Sequence, residues 1–296
     1  MKPIHFLLCV LMLVGCKQKP VTQEEQIISV SIEPQRYFAE KIAGDRFVIH
    51  TVVPTGQSPE TYDPTAQQMV RIGESLAYFQ IGPIGFEQAW IDRIKQNNPQ
   101  VTFFDLSQGM GFLEGEEHGH DHASEEGGHE DAHHHHGATD PHIWSSMEGA
   151  RLIARNMLEA FVALDAENSE YYQTNYNNLM AEIDVTETTI AGIVKPLLSR
   201  TFIIYHPALS YFAEEFHLKQ LCIEMDGKEP SPVQLKELVD TAVNHNVQVV
   251  FIQEEFDQKN AELIARETRC RLVRINPLAY DWSKEMIHIA EALAHE

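Results

Sequence analysis

Cysteine is scarce. The chain has four in 296 residues, and two of them, Cys9 and Cys16, fall at the extreme N-terminus. Only Cys222 and Cys270 remain for the folded body, which leaves room for one disulfide at most. Basic residues are equally few. Lys and Arg number 22 against 44 acids, a formal charge of −22, so the basic stripe of a nucleic-acid binder is missing. A long hydrophobic run is missing too. The best stretch, residues 6–14, is nine residues, far short of the ~20 needed to span a bilayer. What is present is a globular composition, 43% hydrophobic and 22% charged, with length for two ordinary domains. The negative charge suits attraction of cations as well as solubility.

The N-terminus reads as a processing segment. Lys2 precedes the apolar run, which ends in Leu13-Val14-Gly15-Cys16. That tetrapeptide resembles a bacterial lipobox, which implies cleavage before Cys16 and a lipid on its thiol; an ordinary signal peptide is the alternative. Residues 1–15 are then the signal and 16–26 a polar tether. The expected location is outside the cytoplasm, lipid-anchored to a bacterial membrane and facing the periplasm or the cell exterior.

From Ile27 onward, short apolar runs alternate with amphipathic segments. Strands are expected at 27–32, 47–53, 76–81 and 101–106, then at 201–205, 218–224, 247–252 and 271–275. Helices are expected to begin near Pro34, Pro64 and Pro83, prolines being favourable in a first turn, and over 146–164. The second half repeats the plan, with helices near Pro207, Pro232, Asp257 and Ser283; Ser231 and Ser283 read as N-caps. This is an α/β fold of two similar four-stranded, doubly wound, parallel-sheet lobes. The lobes are placed at 27–164 and 198–296. Between them Tyr172, Tyr176, Leu179, Ile183, Ile190, Val194 and Leu197 mark one face of a single long helix over 168–195, within a linking segment at 165–197. A rigid rod joining two lobes implies a cleft between them. With the common strand order 2-1-3-4, Cys222 and Cys270 sit at opposite sheet edges, so two buried thiols are expected, not a disulfide.

Ligands of open parallel sheets bind beyond the carboxyl ends of the strands. After the second strand, Pro54, Gly56, Pro59 and Pro64 stiffen an excursion that presents Glu60. After the fourth, Asp140-Pro141-His142 holds His142 in place. The fifth runs into Tyr205-His206-Pro207, and the eighth ends at Asn276-Pro277. Glu60, His142 and His206 are a donor set that suits zinc with one position left for another ligand or water.

The segments PTGQSPETYDPT, TDPHIW, YHPALSYF and DGKEPSP resemble the signatures of the cluster A-I substrate-binding lipoproteins, which capture zinc or manganese for ABC transporters. The likeness covers the chain from about Ile27 to its end. It implies a monomeric receptor with a divalent metal as cargo, zinc before manganese, and an ABC permease as partner. His142 and His206 match the family's ligand positions directly. Glu60 stands where the family usually has histidine, and Asn276 where it usually has aspartate, so Asn276, a water or a nearby carboxylate fills the fourth place. Where a glutamate often follows the seventh strand, this chain has Gln253, flanked by Glu254 and Glu255.

Residues 114–139 hold eight histidines (His118, His120, His122, His129 and His133, His134, His135, His136), eight carboxylates and no Lys or Arg. Without an aromatic or large aliphatic residue the segment cannot build a core and reads as a flexible loop. It is expected to collect, buffer or sense metal more weakly than a fixed site. Two other classes fit the same residues. A zinc hydrolase would use Glu254 or Glu255 as base beside a metal-bound water, but the His-Glu-x-x-His signature usual for that class is not expected in this chain. An adhesion or chelation lipoprotein would bind metal without transport.

Overall fold

A computed structural model describes residues 26–114, 139–224, 228, 230–256 and 258–294. The signal and tether with Cys16, the histidines between 118 and 136, and part of the DGKEPSP motif lie outside the described residues.

The first sheet contains β1 (Ile27–Val30), β2 (Val48–Thr51), β3 (Ala77–Gln80) and β4 (Thr102–Asp105), all parallel in the order β2-β1-β3-β4. The second contains β5 (Thr201–Ile204), β6 (Lys219–Cys222), β7 (Val249–Gln253) and β8 (Arg271–Ile275), ordered β6-β5-β7-β8. The expected order thus occurs twice. Strand cores are shorter than the apolar runs, yet pairing continues past them. Val52 and Val53 N–H donate to Val30 and Ser31, and Ile223 and Glu224 N–H donate to Ile204 and Tyr205. These extra bonds steer both chains toward the cleft.

The helices are α1 (Glu33–Ala43), α2 (Ala66–Gly73), α3 (Gly85–Asn97), α4 (Met147–Leu164), α5 (Ser169–Val194), α6 (Ser210–Glu215), α7 (Pro232–Asn244), α8 (Lys259–Thr268) and α9 (Trp282–Ala294). Pro34 and Pro232 stand in first turns as expected. Pro64, Pro83 and Pro207 instead precede their helices. At α2 the cap is Thr65, whose Oγ1 accepts from Gln68 N at 3.3 Å while Gln68 Oε1 accepts from Thr65 N at 2.9 Å. Ser283 is not the cap of α9. Asp281 accepts from Lys284 N at 3.4 Å, and the Ser283 hydroxyl turns to Thr186 on α5, 2.5 Å away.

The linking helix is continuous. Its 26 residues make a rod of about 39 Å. Tyr172, Leu179, Ile183, Ile190 and Val194 are buried along it, and it packs on α1, α4 and α9. One core therefore runs from Ile28 and Phe79 through Phe161, Tyr172 and Ile183 to Phe212, Phe251 and Trp282. Strand alternation divides the second sheet. Phe202 and Ile204 face that common core, while Ile203 and Tyr205 face a separate cluster under α7 and α8 with Leu238 and Ile264. Cys222 and Cys270 lie near opposite edges and are not joined in a disulfide; Cys222 is buried and Cys270 half-buried, with its Sγ 3.1 Å from Val247 O.

Two indoles tie the lobes. Trp144 Nε1 donates to Pro277 O at 2.9 Å, and Trp282 Nε1 donates to Trp144 O at 2.6 Å. Among the described residues no helix is long and apolar enough to cross a membrane.

Candidate metal centre

The proline-rich excursion after β2 is pinned on the start of α3. Phe86 N donates to Pro59 O at 2.8 Å, and Gly85 N donates to Glu60 Oε2 at 3.0 Å. Residue 85 must be glycine for this approach, since a Cβ there would lie 2.1 Å from Glu60 O. An anionic carboxylate at a helix N-terminus is also favoured by the helix dipole. With Oε2 held, Glu60 Oε1 is buried and has no hydrogen-bond partner.

His142 is fixed by its own loop. Asp140 Oδ1 accepts from His142 N at 2.9 Å and lies 2.8 Å from His142 Nδ1, while Tyr211 O–H donates to Asp140 O at 2.8 Å. His206 is fixed by its sheet. Its N–H donates to Gln253 Oε1 at 3.3 Å, Gln253 Nε2 donates to its carbonyl at 2.7 Å, and Glu224 Oε2 lies 3.1 Å from its Nδ1. Phe256 stacks on the His206 ring at 5.1 Å and 20°. Each imidazole thus places Nδ1 against a carboxylate, which holds the proton there and leaves the Nε2 lone pair facing the other ring.

Those two Nε2 atoms are 3.3 Å apart, and His142 Nε2 is 4.0 Å from Glu60 Oε1. One ligand atom from each of Glu60, His142 and His206 falls within 4.8 Å of the others. Ligands at ~2.0–2.1 Å from a tetrahedral zinc are separated by roughly 3.4 Å, so the two nitrogens already stand at that spacing. The three side chains line one pocket of about 330 Å³, together with Trp144, Gln253 and Glu255.

The electrostatics favour a cation. Burial would lower the His142 pKa, but the hydrogen bond and charge of Asp140, helped by Glu60 and Glu224, raise it above 6.5. Burial pushes Asp140 up, and its bonds to His142 outweigh that and leave it below the ordinary aspartate value. Burial raises Glu255.

Asn276 is not brought into this group. Its Oδ1 accepts from Leu278 N at 3.0 Å, and it lines a neighbouring cavity with Glu33 and Gln57. Reading the sequence missed Asp140 and Glu224 as the partners that orient the imidazoles. Both were findable, one two residues before His142 and the other at the carboxyl end of β6. It also missed a His-Glu-x-x-His spacing at His129-Glu130-Asp131-Ala132-His133. That string lies outside the described residues, in a stretch without the apolar residues that set such a signature on a buried helix. The roots of the histidine-rich segment meet beside the pocket: Glu114 and Thr139 form an antiparallel bridge, and Asp140 N donates to Leu113 O at 3.0 Å.

Known proteins resemble this chain in sequence and fold. The chain is 28% identical over 249 residues, 83% of this chain and 76% of the relative, to the high-affinity zinc uptake system protein ZnuA of Bacillus subtilis. It is 24% identical over 288 residues to the zinc-binding lipoprotein AdcA of Streptococcus pneumoniae, covering 94% of this chain but only 56% of that longer protein. A manganese ABC transporter substrate-binding lipoprotein, PsaA of Streptococcus anginosus, is 23% identical over 77% of this chain and 72% of its own length. A crystal structure of ZnuA superposes with a TM-score of 0.82 at 35% identity, covering 92% of this chain and 98% of that one. The profile of the family described as zinc-uptake complex component A, periplasmic, matches residues 28–295, and the chain belongs to that family.

Proposed function

We propose that this protein binds one divalent metal ion, zinc in preference to manganese, between Glu60, His142 and His206 and hands it to an ABC permease. The observation that carries this reading is the convergence of two oriented imidazole nitrogens with a buried carboxylate oxygen that has no other partner. Neutral imidazoles bind metal, so capture releases any proton held on Nε2. Anchoring through a lipid on Cys16 would keep the receptor beside its permease. Residues 114–139 act as an accessory collector whose roots lie beside His142. Release would follow when permease contacts spread the ligands, because the braced α5 rod allows only small relative motions of the lobes.

Zinc is favoured by the two histidines and the histidine-rich segment. Glu60, an oxygen donor in place of the family's histidine, is the feature that favours manganese. The test is competition of zinc against manganese on a chain lacking residues 115–138, a deletion whose ends already pair. One tight zinc equivalent that manganese does not displace is expected. Loss of all tight binding would assign the metal to the histidine-rich segment and overturn the reading.

A further inference from the structure

Four buried side-chain atoms among the described residues have no hydrogen-bond partner, and two of them are carboxylate oxygens on the same pocket: Glu60 Oε1 and Glu255 Oε1. Burying such an oxygen without a hydrogen bond is unfavourable, and two ionised carboxylates in one pocket repel each other. A divalent cation between them removes both penalties at once. We infer that Glu255 supplies a further oxygen ligand to the metal bound by Glu60, His142 and His206, in the place that Asn276 leaves open. This inference rests on the metal site proposed above.

The geometry around Glu255 supports it. β7 ends at Gln253, which is buried and locked to His206 by hydrogen bonds in both directions. Two residues later Glu255 reaches the pocket wall, and Phe256 stacks on the His206 ring. The segment that carries Glu255 is therefore braced against a ligand on either side. Glu255 stands outside the tight group of three, so it closes on the ion by rotating its own side-chain torsions, not by moving the backbone. Asn276 is turned aside: its Oδ1 accepts from Leu278 N, and it lines the neighbouring cavity instead of this pocket. Two carboxylates and two neutral imidazoles neutralise a divalent charge and give a mixed nitrogen and oxygen set. Such a set accommodates harder ions better than an all-histidine one. Glu255 thereby sets how strongly zinc is preferred.

The test uses the full chain loaded with one equivalent of cobalt(II), whose visible spectrum reports coordination number, and chelator competition for zinc and manganese. Glu255→Gln is expected to change the cobalt spectrum and to loosen zinc by about tenfold or more, the scale seen when a site's supporting groups are lost. Manganese should loosen further. Glu255→Asp, which keeps the charge one methylene shorter, should fall between. Glu254→Gln alters an exposed neighbour that does not line the pocket and should behave as wild type. A wild-type spectrum and wild-type affinities in Glu255→Gln would overturn the inference while leaving the three-residue site standing. Unchanged binding in His142→Ala would instead remove the site itself.

Discussion

At the scale of single residues, the site depends on how the imidazoles are held as much as on their presence. Asp140 fixes the tautomer of His142 and raises its pKa. Asp140→Asn should therefore weaken zinc binding by about 10- to 100-fold with the circular dichroism spectrum unchanged, as measured by chelator competition. The raised pKa also fixes the direction of the pH response. In the metal-free protein, the stabilisation from protonated His142 is complete below ~6.5 and is lost as pH rises through the elevated value. Metal capture runs the other way, because it needs the neutral ring. Zinc affinity should fall on acidification through that elevated value, and the midpoint should move down in Asp140→Asn. An identical midpoint in both proteins would contradict this account. His142 and His206 were legible in the sequence because prolines and strand ends mark them. Asn276 was less legible, because its oxygen accepts the Leu278 N–H two residues downstream, in a local turn that no spacing rule reveals.

At the scale of elements, the metal pocket is an assembly of strand ends and helix starts. The contact between the Glu60 excursion and α3 is one of its close joints. Gly85→Ala would drive a Cβ to 2.1 Å from Glu60 O, so the excursion must shift and carry Glu60 with it. Zinc affinity should fall at least about tenfold, with a loss of stability of roughly 1–3 kcal/mol in urea unfolding. Wild-type affinity in this variant would mean that Glu60 does not contribute. The sequence showed every strand, because alternating and continuous apolar runs are a strong local signal. Helix starts were less legible. Pro64, Pro83 and Pro207 belong to the loops that shape the pocket, and a proline that rigidifies a loop looks in sequence like one that opens a helix. Ser283 misled for a related reason: its hydroxyl is spent on Thr186 of α5, a contact between elements 97 residues apart.

At the scale of the whole molecule, the lobes share one core and one brace. The long helix was readable from its apolar face and the lack of Gly or Pro near its middle. The crosswise indole bonds of Trp144 and Trp282 were not, since they join residues 133 and 138 positions apart. Trp144→Phe leaves Pro277 O without its donor and should cost about 1–3 kcal/mol. Because the core is continuous, unfolding should remain a single transition; two separated transitions would show that the lobes are independent units.

The central claim is that the specific metal lies between the lobes and not among the histidines of residues 114–139. The most direct test is diffraction from crystals of the protein loaded with one equivalent of zinc, with data collected on both sides of the zinc absorption edge. The account predicts one strong anomalous peak within ~2.0–2.2 Å of His142 Nε2, His206 Nε2 and a Glu60 oxygen. An empty pocket with the peak elsewhere would contradict it.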